Sequence, residues 1–256
     1  MKKTIAILLM ALFYSGALLA LDAKDNEPNR IFHKANSLYE GGEYTKALEG
    51  YLNVMDAGIE SGNLYYNIGN GFFKLGKLGY AILSYEKAKR LIPGDRDLKS
   101  NLSYAKSLAG YSSYQIPPEN MAINAVKMPF RKFNLNTVTL IVLLLYLFMV
   151  FLLCLSIANR YLGEKMRPLT IVSACAFLFA FSAFITRYYD ESILKHGIVL
   201  QKDVECKYEP IDKSTTYYKL AEGDEVLILK TRNDWRYIKR LDGKVGWIQK
   251  GAVDPI

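Results

Sequence analysis

Three cysteines, two histidines and two tryptophans are the scarce reactive or recognition-prone residues of this 256-residue chain. Cys154 and Cys175 lie inside long apolar runs, which leaves Cys206 as the one thiol of a water-facing region. A single thiol builds no disulfide framework and has no resolving partner, so Cys206 reads as a small buried hydrophobe. His33 and His196 stand far apart, and no spacing of His, Cys, Asp or Glu suits a metal. The serines are numerous, yet none sits in a nucleophile elbow, and no carboxylate pair is framed as acid and base. Gly69-Asn70-Gly71 has the glycines of a phosphate-cradling loop but lacks the strand that must precede one. The chain therefore reads as non-enzymatic, with no cofactor and no metal. Trp235 and Trp247 remain, either as core or as the aromatic wall of a binding groove.

The elements that hold these residues are set by charge and apolarity. The net charge is +8, but it is segregated: residues 22–113 hold 12 basic against 11 acidic side chains, and residues 195–256 hold 12 against 10. The excess sits at Lys2 and Lys3, around Lys127, Arg131 and Lys132, and in Arg160–Arg167. Charge at the ends of apolar runs serves membrane topology. A nucleic-acid binder gathers it on one folded face, so nucleic acid is not expected. Residues 1–20 read as a secretory signal: two lysines, an apolar run from Ile5 to Tyr14, then Ser15-Gly16-Ala17, with a later cut after Ala20 also open. Residues 134–158 and 168–187 are charge-free over enough length to cross a bilayer, up to Arg187 at the end of the second. The connection "NRYLGEKMR" between them favours the cytoplasmic side, which puts both soluble regions outside. Neither span carries a charge in its core, which argues against an ion pathway. Ala176, Ala180 and Ala183 form a small-residue face for close helix approach, by the hairpin partner or by another protein.

Residues 28–110 repeat at an offset of 34. Ile31 answers Tyr65, Ala35 answers Gly69, Leu38 answers Phe72, Gly42 answers Gly76, Ala47 answers Ala81, Tyr51 answers Tyr85 and Val54 answers Ala88. Glycine inside a helix costs about 1 kcal/mol against alanine, so Gly69 and its opposite number Ala81 predict close approach of two helices. Gly76 suits a turn, Pro93 stops the second helix, and Leu98, Leu102, Ala105 and Leu108 make the stripe of a capping helix. This period and these residues resemble the tetratricopeptide repeat. The resemblance implies a concave face for extended peptides, made here by Phe32, Asn36 and Tyr39, then Tyr66, Asn70 and Phe73. Each triplet falls at i, i+4, i+7 on one helix side, and asparagine can serve a peptide's donor and acceptor together.

Residues 111–133, with prolines at 117, 118 and 129, read as a linker. From 196 to 256 the pattern turns to short strands: "VLQKDVECKY", "DEVLILKT", "WRYIKR" and "VGWIQ", with hairpin signals at Asn233-Asp234 and Asp242-Gly243-Lys244. "LAEGDEV", Trp235 and "DGKVGWI" resemble a bacterial SH3-like barrel, which implies a peptide- or wall-binding module with Trp235 and Trp247 as groove candidates.

The expected architecture is a multidomain membrane protein: an all-α tetratricopeptide repeat domain, a transmembrane helical hairpin and an all-β SH3-like barrel. That order resembles the BatE-type proteins of the aerotolerance operon. The resemblance implies a membrane-anchored scaffold in oxidative or envelope stress, whose protein partners include von Willebrand-type membrane proteins and whose neighbours include a MoxR-type ATPase. The other reading is an envelope sensor that binds peptidoglycan through the barrel. Either places the chain in the cytoplasmic membrane with its soluble domains outside.

Overall fold

A computed structural model of the protein describes residues 27–110, 121–158 and 160–256. The expected signal segment and residues 111–120 of the expected linker lie outside the described residues. The chain divides into two compact units, Met1–Glu60 and Ser61–Ile256.

In the first unit, α1 (Glu27–Glu40) and α2 (Tyr44–Asp56) pack on each other. The turn between them needs a left-handed residue, and Gly42 supplies it at φ +81°. Ala35, Ala47, Leu48, Tyr51 and Val54 form the buried face.

The second unit opens with three helices, α3 (Gly62–Lys74), α4 (Leu78–Leu91) and α5 (Arg96–Leu108). Ser61 caps α3 by accepting from the Leu64 amide at 3.1 Å, and Asp95 caps α5 by accepting from the Leu98 amide at 2.8 Å. Gly76 and Gly110 adopt φ of +73° and +77°, so the left-handed turn recurs at 42, 76 and 110 with the period of the sequence repeat. The close approach expected at Gly69 is present: a side chain there would meet the ring of Tyr85, on the partner helix α4, at 2.5 Å, and Ala81 is fully buried. On α5, Leu98, Leu102 and Ala105 are buried as expected, but Leu108 is exposed.

Residues 121–130 are not a bare tether. Met121–Lys127 form α6 and Met128–Phe130 a 3-10 turn, whose Phe130 is buried against the following hairpin. That hairpin consists of α7 (Leu135–Ala158) and α8 (Arg160–Tyr188), both long and apolar enough to cross a bilayer. Residues 160–167 of the connection are helical: α8 begins at Arg160 and carries Pro168 within it. At Gly163 α8 comes close to α7, since a side chain there would press on the Ser156 backbone at 2.9 Å. Ala180 and Ala183 are buried with Val138 and Phe130, so the small-residue face serves the hairpin itself.

After a π-helical turn, Tyr189–Ile193, the chain forms a seven-stranded antiparallel sheet. Its strands are β1 (His196–Val199), β2 (Val204–Lys207), β3 (Thr216–Leu220), β4 (Glu225–Arg232), β5 (Trp235–Arg240), β6 (Val245–Gln249) and β7 (Val253–Pro255), in the order β3-β2-β6-β5-β4-β1-β7. The two expected hairpins are present, with Asn233 at φ +51° and Gly243 at φ +93° in their turns. "VLQKDVECKY" is not one strand. Asp203 turns at φ +54°, which separates β1 from β2 and leaves Tyr208 exposed beyond β2. Val204, Cys206, Leu220, Val226, Ile238 and Ile248 build the core on alternating positions. Cys206 is fully buried in it, and burial pushes its thiol pKa up. Such a thiol is an inert hydrophobe.

Candidate functional site

The two helical triplets are half-buried and first of all internal to their helix pairs. The Tyr51 hydroxyl donates to Asn36 Oδ1 at 2.8 Å, and thirty-four residues on the Tyr85 hydroxyl donates to Asn70 Oδ1 at 2.7 Å. Burial pushes the Tyr51 phenol up to about 12, which keeps it a donor. Phe32 packs its ring on Tyr51 at 5.8 Å, and Tyr66 packs on Tyr85 at 5.9 Å. Tyr39 meets Tyr44 at 5.2 Å. Asn36 and Asn70 are thus hinge pins between paired helices, each bond worth about 1 kcal/mol. Their recurrence at 36 and 70, with tyrosines at 51 and 85, was the readable signal for this role.

One part of the expected face remains available. Asn101, on α5, donates through Nδ2 to Tyr66 Oη at 2.9 Å and to Asn70 Oδ1 at 3.1 Å. Asn70 Oδ1 therefore accepts twice, while its own amide donors have no partner among the described residues. Beside it Phe73 stacks on Tyr104, 5.7 Å between rings, and Tyr104 is 59% exposed. The sequence had offered Tyr104 and Asn101 no motif; they are brought in by the packing of α5 on the same side of α3.

In the β domain neither tryptophan joins the buried core. Along β5 the inward positions are Ile238 and Arg240, so Trp235 and Tyr237 fall on the other face. Trp247 on β6 pairs with Tyr237, ring to ring at 5.0 Å, and Lys207 lies 5.9 Å above the Trp235 ring. Trp235 walls three hollows, of about 620, 540 and 250 Å3. Both tryptophans thus lie outside the buried core, and Trp235 but not Trp247 borders these hollows.

The densest polar arrangement was not legible as a motif. Helix α4 has Lys77 at its N-cap position and no local side-chain cap. The Gly79 amide donates instead to Glu222 Oε1 at 2.7 Å, a carboxylate 143 residues away on the β3–β4 turn. A negative charge at a helix N-terminus also meets the positive end of its dipole. Gly223 in that turn, at φ +87°, leaves room for Ile82 of α4, which a side chain there would meet at 2.5 Å. At the other end of α4, Asn134 Nδ2 donates to the Leu91 carbonyl at 3.0 Å while its Oδ1 accepts from the Thr137 amide of α7. Arg90 Nη1 donates to the Ile256 carbonyl at 2.7 Å. Thus α4 is fastened to the β domain and to the apolar hairpin at once.

A chain of alternating charges runs beside it. Lys89 meets Glu86 at 2.6 Å, Glu86 meets Lys106 at 2.6 Å, and Lys106 reaches Glu225 at 3.8 Å. Glu225 lies 3.0 Å from His196 Nδ1, Asp190 lies 3.4 Å from His196 Nε2, and Lys127 lies 3.9 Å from Asp190. The hydrogen bonds to Asp190 and Glu225 raise the His196 pKa to about 9, so the ring is an imidazolium at neutral pH. Burial alone would raise the Glu225 pKa, but His196 and Lys106 hold it below the ordinary value. Both ring nitrogens face carboxylates, which suits a clamp between elements and leaves neither nitrogen to serve a substrate.

No family model matches the chain, and no curated protein matches it.

Proposed function

We propose that this protein is a non-enzymatic, membrane-anchored scaffold of the bacterial envelope. Its helix pairs act as tetratricopeptide repeats, its two apolar helices as a transmembrane anchor, and its β domain as an SH3-like barrel. The carrying observation is the double fastening of α4. It holds the exposed face of α3 and α5, with Phe73, Tyr104 and the Asn70 amide donors, at a set distance from the anchor. That face suits an extended protein segment: aromatic rings for its side chains and amide donors for its carbonyls. The 34-residue recurrence of left-handed glycines and of Tyr–Asn bonds supports the repeat assignment. α4 meets the start of α7 through Asn134 and Leu91, and the β domain meets the turn after α8 through His196 and Asp190, as an arrangement with both on the extracytoplasmic side of the cytoplasmic membrane requires. The resemblance to BatE-type proteins adds stress-response membrane proteins of the von Willebrand type as the partner class. The half-exposed Trp235 and its hollows favour a second contact, with peptide or peptidoglycan.

Mild-detergent co-purification from native membranes tests this. Asn36 and Asn70 are poor targets, because alanine there strands a buried tyrosine hydroxyl. Phe73→Ser with Tyr104→Ser removes the available rings and leaves the hydrogen bonds. The expected outcome is loss of specific membrane partners with an unchanged melting curve. Partners that persist with the folded variant sink the α3–α5 face as the contact. Retention on purified peptidoglycan that requires Trp235, with no protein partner, replaces the scaffold with the wall-binding reading.

A further inference from the structure

Where α4, the residues before α7, the end of α8 and the β domain meet, they enclose a cavity of about 320 Å3. Five lysines and arginines line it, Lys89, Arg90, Lys127, Arg131 and Arg187, against four side-chain carboxylates already placed in the ion pairs above or on Glu191. With His196 protonated, positive side chains exceed negative ones by two.

The cations are not equivalent. Arg187 is spent on Glu191 at 2.6 Å and on the Phe130 carbonyl, and Lys89 on Glu86. Lys127 reaches a half-exposed Asp190 at 3.9 Å and makes a further interaction besides, while still lining the cavity. Arg131 is exposed and has no acidic partner among the described residues. Its position decides what would meet it. Arg131 stands four residues before α7 and Arg187 in the last turn of α8, so the cavity sits at the polar ends of both apolar helices. In a bilayer those ends lie among the headgroups. A guanidinium is suited to a phosphate, which it can grip with two N–H donors.

We propose that this cavity binds the phosphate of an anionic phospholipid headgroup, with Arg131 and Lys127 as the direct ligands. The inference rests on the hairpin lying in the membrane, as in the function proposed above. It also gives the basic residues before α7 a purpose on the side of the membrane where topology does not call for them.

Full-length protein in neutral detergent would be titrated with phosphatidylglycerol, with phosphatidylcholine and with inorganic phosphate, reading the melting temperature and bound lipid by native mass spectrometry. Phosphatidylglycerol is expected to bind about tenfold more tightly than phosphatidylcholine and to raise the melting temperature. Arg131→Gln is expected to erase that preference, as the loss of one charge-assisted contact predicts, without altering the lipid-free melt. Lys127→Gln should weaken binding as well, and Lys165→Gln, in the connection far from the cavity, should not. Equal binding of both lipids, or a preference unchanged in Arg131→Gln, overturns the site. Inorganic phosphate that stabilises as well and displaces the lipid overturns the lipid as its source. Alkaline carbonate extraction, run in parallel, reports on insertion separately: an inserted protein with no preference loses only this inference, and a protein that does not insert loses the anchored reading too.

Discussion

Replacing Gly79 with alanine is expected to destabilise the second unit by about 2 kcal/mol, although alanine is the better helix former by about 1 kcal/mol. The reversal comes from where the new methyl group must go. Its carbon would lie 2.8 Å from Leu200 Cα and 2.8 Å from the Val199 carbonyl oxygen, both backbone atoms that cannot swing aside. To accept it, α4 and the β domain must part, and the Gly79 amide then loses Glu222. Glu222→Ala attacks the same seam by removing the cap, at about 1 kcal/mol. Because both changes open one contact, the double variant should cost less than the sum. Calorimetry of the detergent-solubilised protein checks this. A Gly79→Ala variant as stable as the parent, or more so, would mean that α4 and the β domain do not meet through this turn.

The second large effect concerns pH. His196 carries a folded pKa of about 9 against an ordinary 6.5. A raised pKa means that the proton is bound more tightly in the folded state. Its stabilisation is therefore complete below pH 6.5 and is lost as pH rises through 9. Asp190, lowered first by its hydrogen bond to His196, and Glu225 have the opposite sign. Their share is present above ordinary carboxylate values and is lost as acid protonates them through the lowered ones. The contact between the π-helical turn and the β domain should be tightest between about pH 5 and 6.5. His196→Gln is expected to remove the alkaline loss and to cost about 2 kcal/mol at pH 6, since it leaves two carboxylates facing a neutral amide. Melting temperature against pH, for wild type and this variant, is the measurement. An alkaline limb that survives in His196→Gln would assign it to another group.

Periodicity and punctuation carried much of this structure in one dimension. The charge-free runs mark α7 and α8, the glycines at 42 and 76 mark left-handed turns, and Asp242-Gly243 marks the β5–β6 turn. These signals are local, because each depends on one residue's conformation or on a run of neighbours. The seam was not legible for the opposite reason. Glu222 looks like any turn carboxylate until α4 is brought to it, and of the two acidic partners of His196 only Asp190 is near in sequence, while Glu225 is brought in by the β1–β4 pairing. The helical start of α8 at Arg160 was not legible because charged residues at a span's end can be loop or helix. Residue type left Trp235 and Trp247 open between core and groove, and strand alternation gave the interior to Ile238 and Ile248 instead.

The fastening of α4 at both ends changes how a captured partner would search its surroundings. A disordered 23-residue leash, the length of Gly110–Lys132, would let its cargo wander about 25–30 Å from the anchor. A 14-residue helix tied at each end is a strut of about 21 Å with little freedom to tilt. In the proposed scaffold, cargo on such a strut would keep one height and one orientation while the anchor diffused in the plane. Encounter with another membrane protein would then be a two-dimensional search, with the orientational entropy already surrendered before contact.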